Sequence, residues 1–335
     1  FFEPPSFSEG QRTCTLGLPC AIMIRNNPQD PEQLYTLTDP DTEETTPVAQ
    51  DHGSFTELAA VLIIFGEVDL CGEPTALAAD FSGFTNPQHI HGIELIQGTR
   101  GRYAEATVDF GVPRTGVPGD YIVCFAAANP TQVSEYSVSV REERITDEPP
   151  KDFFKFAGPK IESAVCTLGV SCSVTKQGFL MGTNNRMRIV THNPDHPNPC
   201  SGPPTVFEEV VFDTYISDTV DTSSVDSKGN PVENEGINLG TYHFGVPASG
   251  QAGTYSMCWL FHGDELSEED EAGHANAETA WTFVGNFILE GPYDDSVTAC
   301  NLGTDCSIDI NGVGLIPGNE IWFSQQEDCT TDNIS

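Results

Sequence analysis

Apolar residues in this chain gather in short runs: CAIMI from Cys20, VLIIF from Val61, YIVCFAA from Tyr121, RMRIV from Arg186, YSMCWLF from Tyr255 and EIWF from Glu320. Runs of about four to eight residues, rich in β-branched and aromatic side chains and bounded by Gly, Pro, Asn or Asp, predict strands. No stretch longer than about ten residues carries a helical period. The longest apolar run, Ala59 to Phe65, is far short of the ~20 residues a membrane-spanning helix needs. The pattern predicts an all-β chain.

The runs recur in a fixed order. C-x-L-G-x-x-C occurs three times, as CTLGLPC (Cys14 to Cys20), CTLGVSC (Cys166 to Cys172) and CNLGTDC (Cys300 to Cys306). A second motif, F-G-V-P-x-x-G-x-x-G-x-Y-x-x-C, occurs twice with identical spacing, from Phe110 and from Phe244. A further cysteine follows a short apolar strand in each repeat: Cys71, Cys200 and Cys329. The eleven cysteines of the chain thus fall as four, four and three. Self-similarity of this kind marks a repeat architecture. Repeat one spans 1–147 with an insertion at about 26–53, repeat two spans 148–285, and 286–335 is a partial repeat three. The charged stretch REERITDEPPKD marks the first boundary. At the second, AWTFVG runs into NFILEGP with no polar linker, which predicts a stiffer junction.

Each repeat reads as an opening strand, a turn at Leu-Gly, a strand after the second cysteine, the third apolar strand, variable loops, a V-P-x-x-G-x-x-G corner, and two late strands. About seven short strands fit a Greek-key sandwich, so the predicted fold is tandem immunoglobulin-like β-sandwiches. Tyr121 and Tyr255 stand where a tyrosine corner ties loop to strand. Cys124 and Cys258 follow them by three residues. Alternation along a strand then puts tyrosine and cysteine on opposite faces, unlike the antibody inter-sheet bridge. Four cysteines allow three pairings. The preferred one joins Cys14 to Cys20, Cys166 to Cys172, Cys300 to Cys306, Cys71 to Cys124 and Cys200 to Cys258, leaving Cys329 unpaired or intermolecular.

C-x-L-G-x-x-C followed by G-x-[YF]-x-x-C-[WF] resembles the cysteine-containing Ig-like repeats of large secreted surface proteins of protists, including algal flagellar-hair (mastigoneme) proteins. The resemblance covers both complete repeats and the fragment. It implies an extracellular fibrous or coat protein with glycans on its surface, and it brings no catalytic residues. The insertion in repeat one has no counterpart in the other two.

Fifty acidic against 14 basic residues give a formal charge of -36. Such a charge repels nucleic acid and anionic membrane surfaces. Heavy cysteine use without a CxxC pair points to disulfides made in an oxidising compartment. The FFEPPSF start has neither an initiator Met nor the marks of a signal peptide, and reads as a mature or excised segment of a secreted precursor. The acidic clusters Asp39, Asp41, Glu43, Glu44 and Asp264, Glu265, Glu268, Glu269, Asp270, Glu271 have no EF-hand spacing and read as solvated loops, with bridging calcium the remaining option. The pairs His89/His91 and His192/His196 occupy non-equivalent places and read as surface histidines, so no metal or other cofactor is expected. No hydrolase, zincin or phosphate-loop motif is present. A site in the repeat-one insertion, with Asp51, His52 or His89, is the least favoured reading, and an enzyme is not expected. Asn333 heads the one N-x-[ST] sequon free of proline, a candidate N-glycan site. Ser/Thr-Pro stretches such as DTEETTPV permit O-linked sugar.

A fragment of about 50 residues cannot bury a core alone. Either the repeats continue beyond Ser335 or a neighbour supplies the missing strands, as in strand addition. Phe1, Phe2 and Phe7 among prolines are candidates for contact with such a partner. Heterologous head-to-tail contact propagates into a fibre. The expected function is therefore a structural subunit of an extracellular glycoprotein filament or surface appendage, a homopolymer. The alternative is an adhesin or carbohydrate-binding ectodomain with Trp259 and Trp281 as sugar platforms, although both lie on strands where aromatics pack the core.

Overall fold

The computed structural model describes residues 6–7, 12–26, 36–38, 45–47, 57–65, 70–98, 101–127, 129–142, 153–183, 185–191, 199–200, 210–211, 220–224, 237–247, 249–261, 281–293 and 299–321. Their regular structure is β, with short 3-10 turns such as Val133–Glu135. One sheet of the first sandwich runs Arg141–Glu142, Ser6–Phe7, Cys20–Asn26, Gly101–Gly111, His91–Gly98. The other runs Phe153–Pro159, Gly119–Ala126, Ala60–Ile64, Gln88–His89. Thr13–Thr15 adds to this second sheet parallel to Phe153–Pro159, and Val138–Ser139 pairs with Gly119–Ala126. This is the division of strands of an immunoglobulin-like sandwich.

The second sandwich repeats the order. Val220–Ser224, Ile237–Gly245 and Cys172–Phe179 lie on one sheet, and Ala164–Thr167, Thr282–Pro292, Gly253–Leu260 and Arg186–Thr191 on the other. Ile237–Gly245 alternates half-buried and buried positions along its length, the two-residue period of a strand with one face on the core. The late strands are instead buried on both faces. Tyr121, Val123 and Phe125 fill the space between the sheets, while Ile122, Cys124 and Ala126 join Leu62, Ile64 and Tyr136 in a second cluster behind the sheet. Cys258, Leu260, Val190, Cys200 and Trp281 form the matching cluster in the second sandwich. The sequence shows the apolar run but not its reason, which is a loop carrying the third cysteine folded over the back of the sheet.

The two sandwiches are joined through one strand. Gly119–Ile122 pairs antiparallel with Phe153–Phe156, and Gly158–Pro159 of that same strand then pairs with Phe179–Gly178 of the next sandwich. Thr282–Pro292 does the same: its first nine residues pair with Gly253–Trp259 and Ala164–Thr167, and Gly291–Pro292 pairs with Val313–Gly312. What the sequence suggested as a closing strand AWTFV and a separate opening strand NFILEGP is one element. Hydrogen bonding hands over inside both strands, at Ala157–Gly158 and Glu290–Gly291, downstream of the breaks at 147/148 and 285/286 suggested by composition. Both junctions use the same device.

Candidate assembly interface

Each C-x-L-G-x-x-C segment is a closed turn built the same way. Disulfides join Cys14–Cys20, Cys166–Cys172 and Cys300–Cys306, with Cα separations of 5.3, 5.6 and 5.6 Å. The turn glycines Gly17, Gly169 and Gly303 have φ of 83°, 76° and 84°. The amide after each donates back across the turn: Leu18 to Thr15 O at 3.1 Å, Val170 to Thr167 O at 3.1 Å, Thr304 to Asn301 O at 3.3 Å. The local sequence alone therefore makes three like hairpins.

Their surroundings differ. In the first, the Leu16 amide donates to Ala157 O at 2.9 Å and the Gly17 amide to Pro113 O at 2.8 Å, and the Leu16 side chain is 1% exposed. In the second, Leu168 donates to Glu290 O at 2.9 Å and Gly169 to Pro247 O at 2.8 Å. Each leucine lies over the glycine where the bridging strand crosses between sandwiches. A Cβ on Gly158 would stand 2.9 Å from Leu16 Cβ, and one on Gly291 would stand 2.6 Å from Leu168 Cδ1. Both glycines have φ in the region side chains avoid, +144° and +154°. The carbonyls of Pro113 and Pro247 come from the F-G-V-P corners, so the two repeated motifs meet each other at every occupied hairpin.

Leu302 is 105% exposed, and Cys300 and Cys306 are exposed with it. Among the described residues no strand crosses the third hairpin. It presents a bare leucine on a turn whose glycine φ and hydrogen bond match those of the two hairpins that receive a strand. Ile316 at 66% and Ile321 at 57% exposure add apolar surface to the same segment.

The remaining predicted positions are placed as follows. Cys71–Cys124 and Cys200–Cys258 are bonded with Cα separations of 5.6 and 5.9 Å, on the back of the sheet and away from the tyrosines. Tyr121 donates its hydroxyl to Val117 O, and Tyr255 donates to Gln251 O at 2.6 Å. Burial pushes the Tyr121 hydroxyl up to about 12. Trp259 and Trp281 are each 1% exposed. Trp259 donates to the Tyr242 hydroxyl at 3.0 Å, and the Arg188 guanidinium sits 4.3 Å from the Trp281 ring. Neither indole is a sugar platform. His89 and His91 are exposed on either side of buried Ile90, and among the described residues no His, Cys, Asp and Glu come together as a metal site. Of the insertion at 26–53, Thr36–Thr38 pairs with Thr45–Pro47. Cys329, Asn333, Asp51, His52, His192, His196, Phe1, Phe2 and both acidic clusters lie outside the described residues.

Lys176 carries no signal in the sequence, yet it is 1% exposed in the second sandwich. Its ammonium donates to Glu162 O and, at 3.1 Å, to Val284 O. Burial lowers its pKa from 10.5 to about 8, against the opposing pull of the Glu162 charge. Gly158 and Gly291 were also missed as functional positions, although Gly-Pro after an apolar strand recurs at Gly158-Pro159 and Gly291-Pro292 and could have flagged them.

No family model matches the sequence. No curated protein matches it. Among solved structures, bovine butyrophilin aligns over 76% of this chain and 90% of its own at 8% identity, with a TM-score of 0.19. No helix among the described residues is long and apolar enough to cross a membrane.

Proposed function

We propose that this protein is a structural subunit of an extracellular filament or surface appendage, in which immunoglobulin-like units extend head to tail by sharing strands. One observation carries the reading: the hairpin that twice receives a bridging strand is present a third time with its leucine bare. An undocked apolar turn costs solubility unless something covers it. Repetition of that contact along one direction builds a fibre. Five disulfides among the described residues fit an oxidising, extracellular setting. Glycans on Asn333 and on Ser/Thr-Pro stretches, a homopolymeric composition, and kinship with mastigoneme-like fibril proteins belong to the same proposal. The adhesin reading loses its two tryptophan platforms to the core.

Negative-stain electron microscopy of the native material at neutral pH, with and without calcium, tests this. Regular fibres with an axial repeat are the expected result. Dispersed particles under both conditions would sink the filament reading and return the adhesin to first place.

A further inference from the structure

We infer that residues 153–157 form a releasable strand: under load passed on from the second sandwich, they leave the first sandwich and let out the chain behind them, while the rest of that sandwich stays folded. The inference concerns one chain under tension and does not rest on the filament reading.

The two sandwiches close differently. In the second, the single strand Thr282–Pro292 pairs with Gly253–Leu260 along its length, interrupted by one bulge beside Met257 and Cys258. In the first, two separate segments share that place. Val138–Ser139 lies opposite Phe125 and Cys124, with the Val140 amide donating to Val123 O at 2.8 Å, and residues 153–156 lie opposite residues 122–119. Three residues stand between Phe283 and Phe287, and fourteen between their counterparts Ser139 and Phe154. The extra chain starts by leaving the sheet, because Arg141–Glu142 pairs with Ser6–Phe7 in the opposite one. A tie across the core differs at the same place. The Lys176 ammonium holds Val284 O, at the bulge, together with Glu162 O. Counting from the second cysteine, the first sandwich has Ile24 there, whose side chain has no donor.

Load arriving through Gly158 meets residues 153–157 first. Four residue pairs with Gly119–Ala126 and three with Thr13–Thr15 hold them, and Phe154 and Phe156 are fully buried in the core. The chain upstream is held separately. Val138–Ser139 stays paired with Cys124 and Phe125, and the Cys71–Cys124 disulfide fixes that strand to the loop behind the sheet. Once free, residues 143–157 are a tether of fifteen residues, at most about 50 Å long. The second sandwich has no such tether, because its exit strand runs unbroken from Thr282 to Pro292.

Single-molecule force spectroscopy on the full chain, held by its two ends, tests this. The expected trace shows a short step of at most about 50 Å before the longer step in which the first sandwich unfolds. Five Gly/Ser residues inserted after Thr146 should lengthen the short step by about 17 Å, and they only extend a connection, which folds tolerate well. Asp120 and Lys155 lie opposite each other, close enough for a disulfide. Asp120→Cys combined with Lys155→Cys should therefore abolish the short step once oxidised, while either substitution alone leaves it in place. A first sandwich that opens in one long event, a short step whose length ignores the insertion, or a short step that survives the cross-link would overturn the inference. Whether the native material forms fibres does not enter the result.

Discussion

Lys176 shows how much one residue can depend on partners far away in the chain. It occupies an inward position on Cys172–Phe179, and counting from the second cysteine puts Ile24 in the same place in the first sandwich, fully buried. Alternation places Lys176 inward, but nothing local reveals that the carbonyls of Glu162 and Val284 receive its charge. Its folded pKa of about 8 lies below the ordinary 10.5, so between those values the unfolded chain binds more protons and stability rises with pH. Urea unfolding of the second sandwich should therefore strengthen by roughly 1–3 kcal/mol from pH 7.5 to pH 10, and Lys176→Met should flatten that slope. Above pH 10 the gain reverses, because burial holds the tyrosine hydroxyls protonated in the fold while they ionise in the unfolded chain. The corner tyrosines, by contrast, were legible from spacing alone. Tyr255→Phe removes the bond to Gln251 O and should cost about 1–2 kcal/mol, read from the denaturation midpoint with an unchanged m-value.

At the scale of elements, the three hairpins separate what sequence dictates from what context adds. The cysteine spacing and the Leu-Gly turn were readable, because a closed loop of this size is determined by its own residues. The bridging strands were not, because composition marks charged or polar breaks while the hand-over between sandwiches happens inside an apolar strand, at a glycine. REERITDEPPKD looked like a boundary, yet Phe153–Phe156, after it, completes the first sandwich's sheet. Leu16 and Leu302 share one motif position with opposite burial, so Leu16→Ala should cost about 2–5 kcal/mol. Leu302→Ala in the dispersed chain should stay within about 0.5 kcal/mol of the parent. Guanidinium unfolding monitored by far-ultraviolet circular dichroism measures both. A large loss at Leu302 would show that the third hairpin is already covered within the chain.

At the scale of the whole molecule, one strand carries sheet hydrogen bonds from each sandwich into the segment that follows it. Each bridging strand is held on both sides, by the late strand of one sandwich and the hairpin-derived strand of the next, so bending at a junction breaks sheet hydrogen bonds. A formal charge of -36 keeps chains apart except where a specific contact outweighs repulsion, which favours one directed interface over general association. The central claim is that this interface is the third hairpin. The amides of Leu16 and Leu168 donate to a bridging strand, and the Leu302 amide is the matching donor without such a strand among the described residues. Site-resolved hydrogen exchange, comparing native fibres with dispersed chains, reads it directly. Slow exchange at Leu302 in the fibre, approaching that of Leu168, and fast exchange in the dispersed chain is the predicted result; equally fast exchange in both states would contradict the account.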